Sequence, residues 1–198
     1  MNSKIFLLAL NFSIFFFASV AFAKIVTTEN TIYYEIDPER LTEVPALLKA
    51  NSKASSKAPG RTDYETHVTT IKVEHNGECA LKDFRINQDI QYILPRLSTP
   101  TRLDQQSVKL WNRYAKALKV HEYGHGKIGK NAARRLERIL LGTEFKNVYY
   151  PNCSVVERNV QGLLDLVVHQ SNEDEIYDYT TGHGFSQGAS FKALQLTP

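Results

Sequence analysis

Two histidines four residues apart, His121 and His125, with Glu122 beside the first, are the residues of this chain best suited to chemistry. On a helix turning about 100° per residue, side chains at i and i+4 stand almost above one another, one turn of about 5.4 Å apart. Two imidazoles so placed can bind a single metal ion. Glu122 follows the first of them and can reach a water on that ion without taking a ligand position. This is the HExxH arrangement of two zinc ligands and a general base. Zinc lowers the pKa of its water to about 7 and polarises a scissile carbonyl, the chemistry of peptide hydrolysis. A shuffled chain of this composition would carry the pattern about 0.01 times, so context decides its meaning. Here it falls inside a proline-free stretch of helical period.

Glycines at 124, 126 and 129 lie within the same run. Each costs about 1 kcal/mol relative to alanine in a helix, so a close approach by another part of the chain is expected there.

A catalytic zinc site needs a third protein ligand and an open position. The extension of the motif to a glycine and a third histidine on the same run fails, because Ile128 and Asn131 stand in those places. Glu137 lies 12 residues beyond His125, about 18 Å along a helix axis and out of reach. Glu144 falls in a loop and Glu157 at a helix start, and neither is well placed. His183, flanked by Gly182 and Gly184, is the foremost candidate, since glycines allow the tight backbone that returns an imidazole to a metal. Asp178 is the second. Tyr177 or Tyr179 could hydrogen-bond an oxyanion or could simply pack. His67, His75 and His169 read as structural or surface residues.

The elements that must hold these groups follow from hydrophobic period. Thr31 to Ile36 alternates as a strand, and Asp37-Pro38 opens a helix running to about Ala50. Asn51 to Gly60 reads as an exposed loop. Tyr64 to His75 is a strand closed by the hairpin turn Asn76-Gly77, and Cys79 to Leu94 continues as strand up to a turn bracketed by Pro95 and Pro100. From about Asp104 to Leu141 a long helix carries Trp111, Tyr114, Leu118, His121, His125, Ala132, Leu136, Ile139 and Leu140 on one broad stripe, and Gly142 ends it. Tyr149-Tyr150-Pro151 is a loop, Val155 to Val168 a second helix, and the tail from Ser171 a polar, glycine-rich segment. The class is α+β: a small N-terminal sheet with one helix, the long motif helix, a second helix and a ligand-bearing loop.

Lys4, the apolar run Ile5 to Val20 and Ala21-Phe22-Ala23 have the three-part grammar of a secretory signal peptide over residues 1–23. A single domain over residues 24–198 is expected, exported to the periplasm or beyond the cell, with no stable membrane insertion after cleavage. In that setting Cys79 and Cys153 are expected to form one disulfide. The formal net charge of +3 is mild and points to neither nucleic acid nor an anionic membrane surface. The expected partner is a peptide or protein substrate, lying along an edge strand of the sheet by β-augmentation.

Trp111, Tyr114, Leu118 and His121-Glu122-Tyr123-Gly124-His125, with Ala132-Ala133, Cys153, the block Tyr177-Asp178-Tyr179-Thr180-Thr181-Gly182-His183-Gly184 and Gln187-Gly188-Ala189, resemble the bacterial family catalogued as domain of unknown function 922. That family is described as predicted secreted zinc-dependent proteases. The resemblance covers most of residues 24–198 and is most specific in the two motif blocks. It implies a zincin-like fold, peptidase activity and a role for His183. The competing expectation is a non-catalytic zinc-binding or adaptor module of the envelope. Glu122 speaks against it, because a purely structural zinc has no use for a general base.

Overall fold

The computed structural model describes residues 24–51, 58–145, 148–169 and 171–190. The segment read as a signal peptide and most of the predicted loop 51–60 lie outside the described residues. The rest is α+β, built on a mixed sheet.

Strand β3 (Glu78–Leu97) is the spine of that sheet. On one side β1 (Ile25–Ile36) pairs with it in parallel, and on the other β2 (Arg61–His75) pairs antiparallel, giving the order β1-β3-β2. The β2–β3 turn is the predicted hairpin: Asn76 and Gly77 both take positive φ, 51° and 80°, as a two-residue turn of primed type requires. The strand starts six residues before the expected Thr31. Residues Ile25 to Asn30 are mostly polar and lack apolar alternation, because an edge strand satisfies its backbone against β3 with little burial. β3 also runs through Pro95, where a turn was expected. There the proline does no harm, because the β2 ladder begins only at Arg61 opposite Ile93, so Pro95 has a partner, Tyr34, on one side alone.

The first helix starts later than Asp37-Pro38 suggests. A 3-10 turn over Leu41–Glu43 leads into α1 (Val44–Asn51). Asp37 is diverted to Ser98 Oγ at 2.9 Å and to Arg102 at 3.0 Å, and Glu43 instead accepts the backbone N–H of Glu39 at 2.9 Å. The long helix α2 (Gln105–Leu141) forms as read, with Asp104 capping the N–H of Ser107 at 2.9 Å and Gly142 at its end. Tyr149–Tyr150, expected in a loop, adds a short strand, β4, to the start of β3, pairing Tyr150 with Cys79. Helix α3 (Cys153–Leu164) is capped by Asn152 and closes in a π-helical turn to His169. The polar tail, expected to be a loop, is instead a helix, α4 (Glu173–Thr181), ended by Gly182 in the left-handed conformation. No helix among the described residues is long and apolar enough to cross a membrane.

Two apolar clusters lie between the sheet and the helices. Leu81, Phe84 and Ile86 of β3 pack on Ala132, Ala133, Leu136 and Leu140 of α2 and on Val156, Val160 and Leu164 of α3. Farther along β3, Ile90, Tyr92 and Leu94 pack on Trp111, Tyr114 and Leu118, with Val44 and Leu48 of α1. Thus α2 is clamped at both ends by burial worth about 25 cal/mol per Å² of apolar surface. In its middle the buried residues are His121, Glu122, Gly126 and Gly129, none of which adds to either cluster. The predicted bond between Cys79 and Cys153 is in place and ties β3 to α3.

Candidate metal centre

The polar middle of α2 is met by α4. His121 is 4 % exposed although it is a titratable group, so its surroundings must satisfy it. Its Nε2 lies 3.1 Å from Asp178 Oδ1 and 3.3 Å from His125 Nε2, and His125 Nε2 lies 3.0 Å from the same Asp178 oxygen. Three ligand atoms therefore form a nearly equilateral triangle.

Each outer nitrogen is anchored away from the triangle. His125 Nδ1–H donates to Asp174 Oδ1 at 2.7 Å, and His121 Nδ1–H donates to Gln187 Oε1 at 3.1 Å. Both imidazoles are thereby fixed in the tautomer that turns the Nε2 lone pair inward. Two lone pairs and a carboxylate oxygen facing one another within 3.3 Å repel unless a proton or a cation sits among them. A tetrahedral ion with ligand bonds of about 2.0–2.1 Å has ligand–ligand edges of about 3.3 Å, so the triangle fits one face of a zinc tetrahedron. The fourth apex opens on a cleft of about 300 Å³ whose walls include Gly60, Thr62, Glu122 and His183.

The third corner is Asp178, not the foremost candidate His183. The His183 side chain is 80 % exposed, and its Nδ1 lies 3.3 Å from Asp178 Oδ2, the oxygen that faces away from the histidines. Gly182 does turn the chain back toward the site, but Asp178, three residues inside α4, already projects there. His183 itself takes φ of 50°, uncommon for a residue with a side chain. It lines the cleft and contacts the outer oxygen of the Asp178 carboxylate.

Glu122 lies on the cleft wall, 4 % exposed. Its Oε2 is 2.8 Å from the Thr62 hydroxyl, and a Cβ added to Gly60 would stand 2.6 Å from its Oε1. Burial pushes the Glu122 carboxyl above its usual pKa, against the hydrogen bond from Thr62. Burial also moves His121 below its usual value, helped by the neighbouring His125. For His125 burial acts in the same direction, but the hydrogen bond to Asp174 and the charges of Asp178, Asp174 and Glu122 outweigh it and leave its pKa raised.

The close approaches expected at the α2 glycines are present. A Cβ on Gly124 would meet Tyr177 Oη at 2.0 Å, one on Gly126 the Tyr92 hydroxyl at 2.1 Å, and one on Gly129 the Tyr64 ring at 2.9 Å. Tyr177 stacks on His121 with ring centroids 5.2 Å apart and accepts a hydrogen bond from Gln187 Nε2 at 2.9 Å. It packs against His121 and Gly124, outside the residues that line the cleft. Tyr179 is 87 % exposed and takes no part. Glu144 is exposed, and Glu157 pairs with Lys72, far from the site. His67 pairs with Glu65 at 3.1 Å, while His75 lies beside Asn76 and His169 is exposed, as read.

Asp174 and Thr62 escaped the sequence reading, and Gln187 and Gly60 entered it only as part of a motif block and as a loop end. One signal could have found Asp174: with Tyr177, Asp178 and Thr181 it makes an i, i+3, i+4, i+7 pattern, the spacing of one helix face.

Compared with known proteins, the chain matches over residues 31–184 the profile of a family described as a bacterial protein of unknown function, DUF922. The chain belongs to this family. The DUF922 match spans the sheet from the middle of β1 onward, α2 and α4, so every corner of the triangle and Glu122 fall inside it. No curated protein and no solved structure matches.

Proposed function

We propose that this chain is an exported, zincin-like zinc peptidase whose ion is held by His121, His125 and Asp178. The observation that carries the reading is the triangle of inward-facing ligand atoms, 3.0 to 3.3 Å on a side, opening onto a cleft that Glu122 also lines. When bound, zinc supplies a Lewis acid for the scissile carbonyl and an acidified water.

The chain's own groups do the rest. Asp178 is held to one oxygen by His183 at the other, which leaves the fourth position open. Glu122 keeps Oε2 on Thr62, so Oε1 is the atom that accepts the water proton and returns it to the leaving amine. Edge strand β2 enters the cleft at Arg61 and Thr62, where an extended peptide can pair with its free side. The disulfide is compatible with export.

The test is hydrolysis of a mixed peptide library by the zinc-loaded protein and by Glu122→Gln. The proposal expects cleavage by the first, none by the second, and equal zinc in both. Zinc binding without cleavage of any peptide would leave a metal-binding module in its place.

A further inference from the structure

The outer face of α2 is segregated in charge. The helix carries nine lysines and arginines against two acids, Glu122 and Glu137. That is a formal +7, so the remainder of the chain carries −4 of the net +3. The mild overall balance hides this asymmetry. At about 100° per residue, Lys109, Arg113, Lys116, Lys127, Arg134 and Arg138 fall within an arc of roughly 60°, opposite the buried face of Leu118, His125 and Leu136. All six are exposed. At about 1.5 Å per residue the stripe is roughly 44 Å long. Lys109, Lys116, Lys127, Arg134 and Arg138 make no ion pair with any described residue, whereas Lys130 and Arg135 at its flanks pair with Glu29 and Glu173. An ordinary solvated face mixes both signs.

We propose that this stripe docks the protein on an anionic phospholipid surface. Charge complementarity selects a polyanion, and the residues between Lys116 and Lys127 select lipid. Val120, on the same arc, is 52 % exposed, and Tyr123, about 20° beyond its edge, is 41 % exposed. An aliphatic and an amphipathic aromatic side chain suit the headgroup region of a bilayer, and the aliphatic one has no counterpart on a sulfated or phosphate backbone. Docked this way, the cleft on the opposite side of α2 remains open to solvent. The inference stands whether or not the site holds zinc.

The test uses the chain from Lys24 onward, which contains every described element, and vesicles of phosphatidylcholine with or without about one-third phosphatidylglycerol. Cosedimentation with the anionic vesicles alone is expected, weakening as salt rises from about 0.05 to about 0.5 M. The triple variant Lys109→Gln, Lys116→Gln, Lys127→Gln is expected to lose about 100-fold in partition. A control of equal charge change off the stripe, Lys82→Gln, Arg85→Gln, Arg96→Gln, is expected to stay within about threefold of wild type. Circular dichroism verifies that both variants fold. Equal binding to neutral vesicles, equal losses in the two variants, or retention by heparin without vesicle binding would each overturn the proposal.

Discussion

Asp174 and Asp178, one turn apart on α4, grip opposite nitrogens of one imidazole: Asp174 Oδ1 lies 2.7 Å from His125 Nδ1, and Asp178 Oδ1 lies 3.0 Å from its Nε2. The first contact fixes tautomer and ring orientation. The second makes a corner of the ligand triangle. A single helix face thus supplies one corner of the triangle and the support of another, and Tyr64 in turn donates its hydroxyl to the far oxygen of Asp174.

Because Asp174 acts only through His125, Asp174→Asn is expected to weaken zinc binding by about 10- to 100-fold without abolishing it. Competition against a chromophoric chelator measures this. An unchanged affinity would show that the ring needs no such anchor.

Gly60 leaves room for the Glu122 carboxylate, and a methyl there would meet Oε1 at 2.6 Å. Gly60→Ala is therefore expected to displace the base and reduce kcat at least tenfold with zinc content unchanged. Peptide hydrolysis beside metal analysis reads both quantities. A fall in zinc content as well would mean that the loop supports the ligands rather than the base.

Glu29 joins β1 to α2. It accepts from Lys130 at 3.0 Å and from the Tyr92 hydroxyl at 2.8 Å, and those bonds hold its carboxyl below the usual value. A depressed carboxylate stabilises the fold above its unfolded pKa and loses that contribution as pH falls through the folded one. The stability lost in Glu29→Gln, at most about 1 kcal/mol for so exposed a group, is expected near pH 7 and to be smaller near pH 3. Urea unfolding at both pH values tests the sign.

The disulfide closes a separation of 74 residues. Removing it as Cys79→Ala with Cys153→Ala is expected to cost about 2–4 kcal/mol, read as a lower urea midpoint. The apolar clusters remain, so the variant is expected to fold still.

Much of this was legible in the sequence, for physical reasons particular to each element. Asp104, Gly142 and the stripe from Trp111 to Leu140 defined α2 because one apolar face packs along its length at both ends. Asn76-Gly77 fixed the hairpin because few other pairs tolerate two positive φ angles. α4 was missed because it buries no residue, so its helical period is carried by Asp174, Tyr177, Asp178 and Thr181 rather than by apolar groups. For the same reason the third corner was given first to His183. Flanking glycines mark where a chain can turn, and only a helix at 173–181 shows that Asp178 already points at the histidines. The partners Thr62 and Gly60 come from a distant segment and have no local signature.

Zinc titration of wild type, Asp178→Ala and His183→Ala by chelator competition tests the central claim most directly. One zinc per chain is expected in wild type, with affinity at least about 100-fold weaker in Asp178→Ala and less than about tenfold weaker in His183→Ala. Wild type that takes up no zinc, or a large loss in His183→Ala beside an intact Asp178→Ala, would contradict the account.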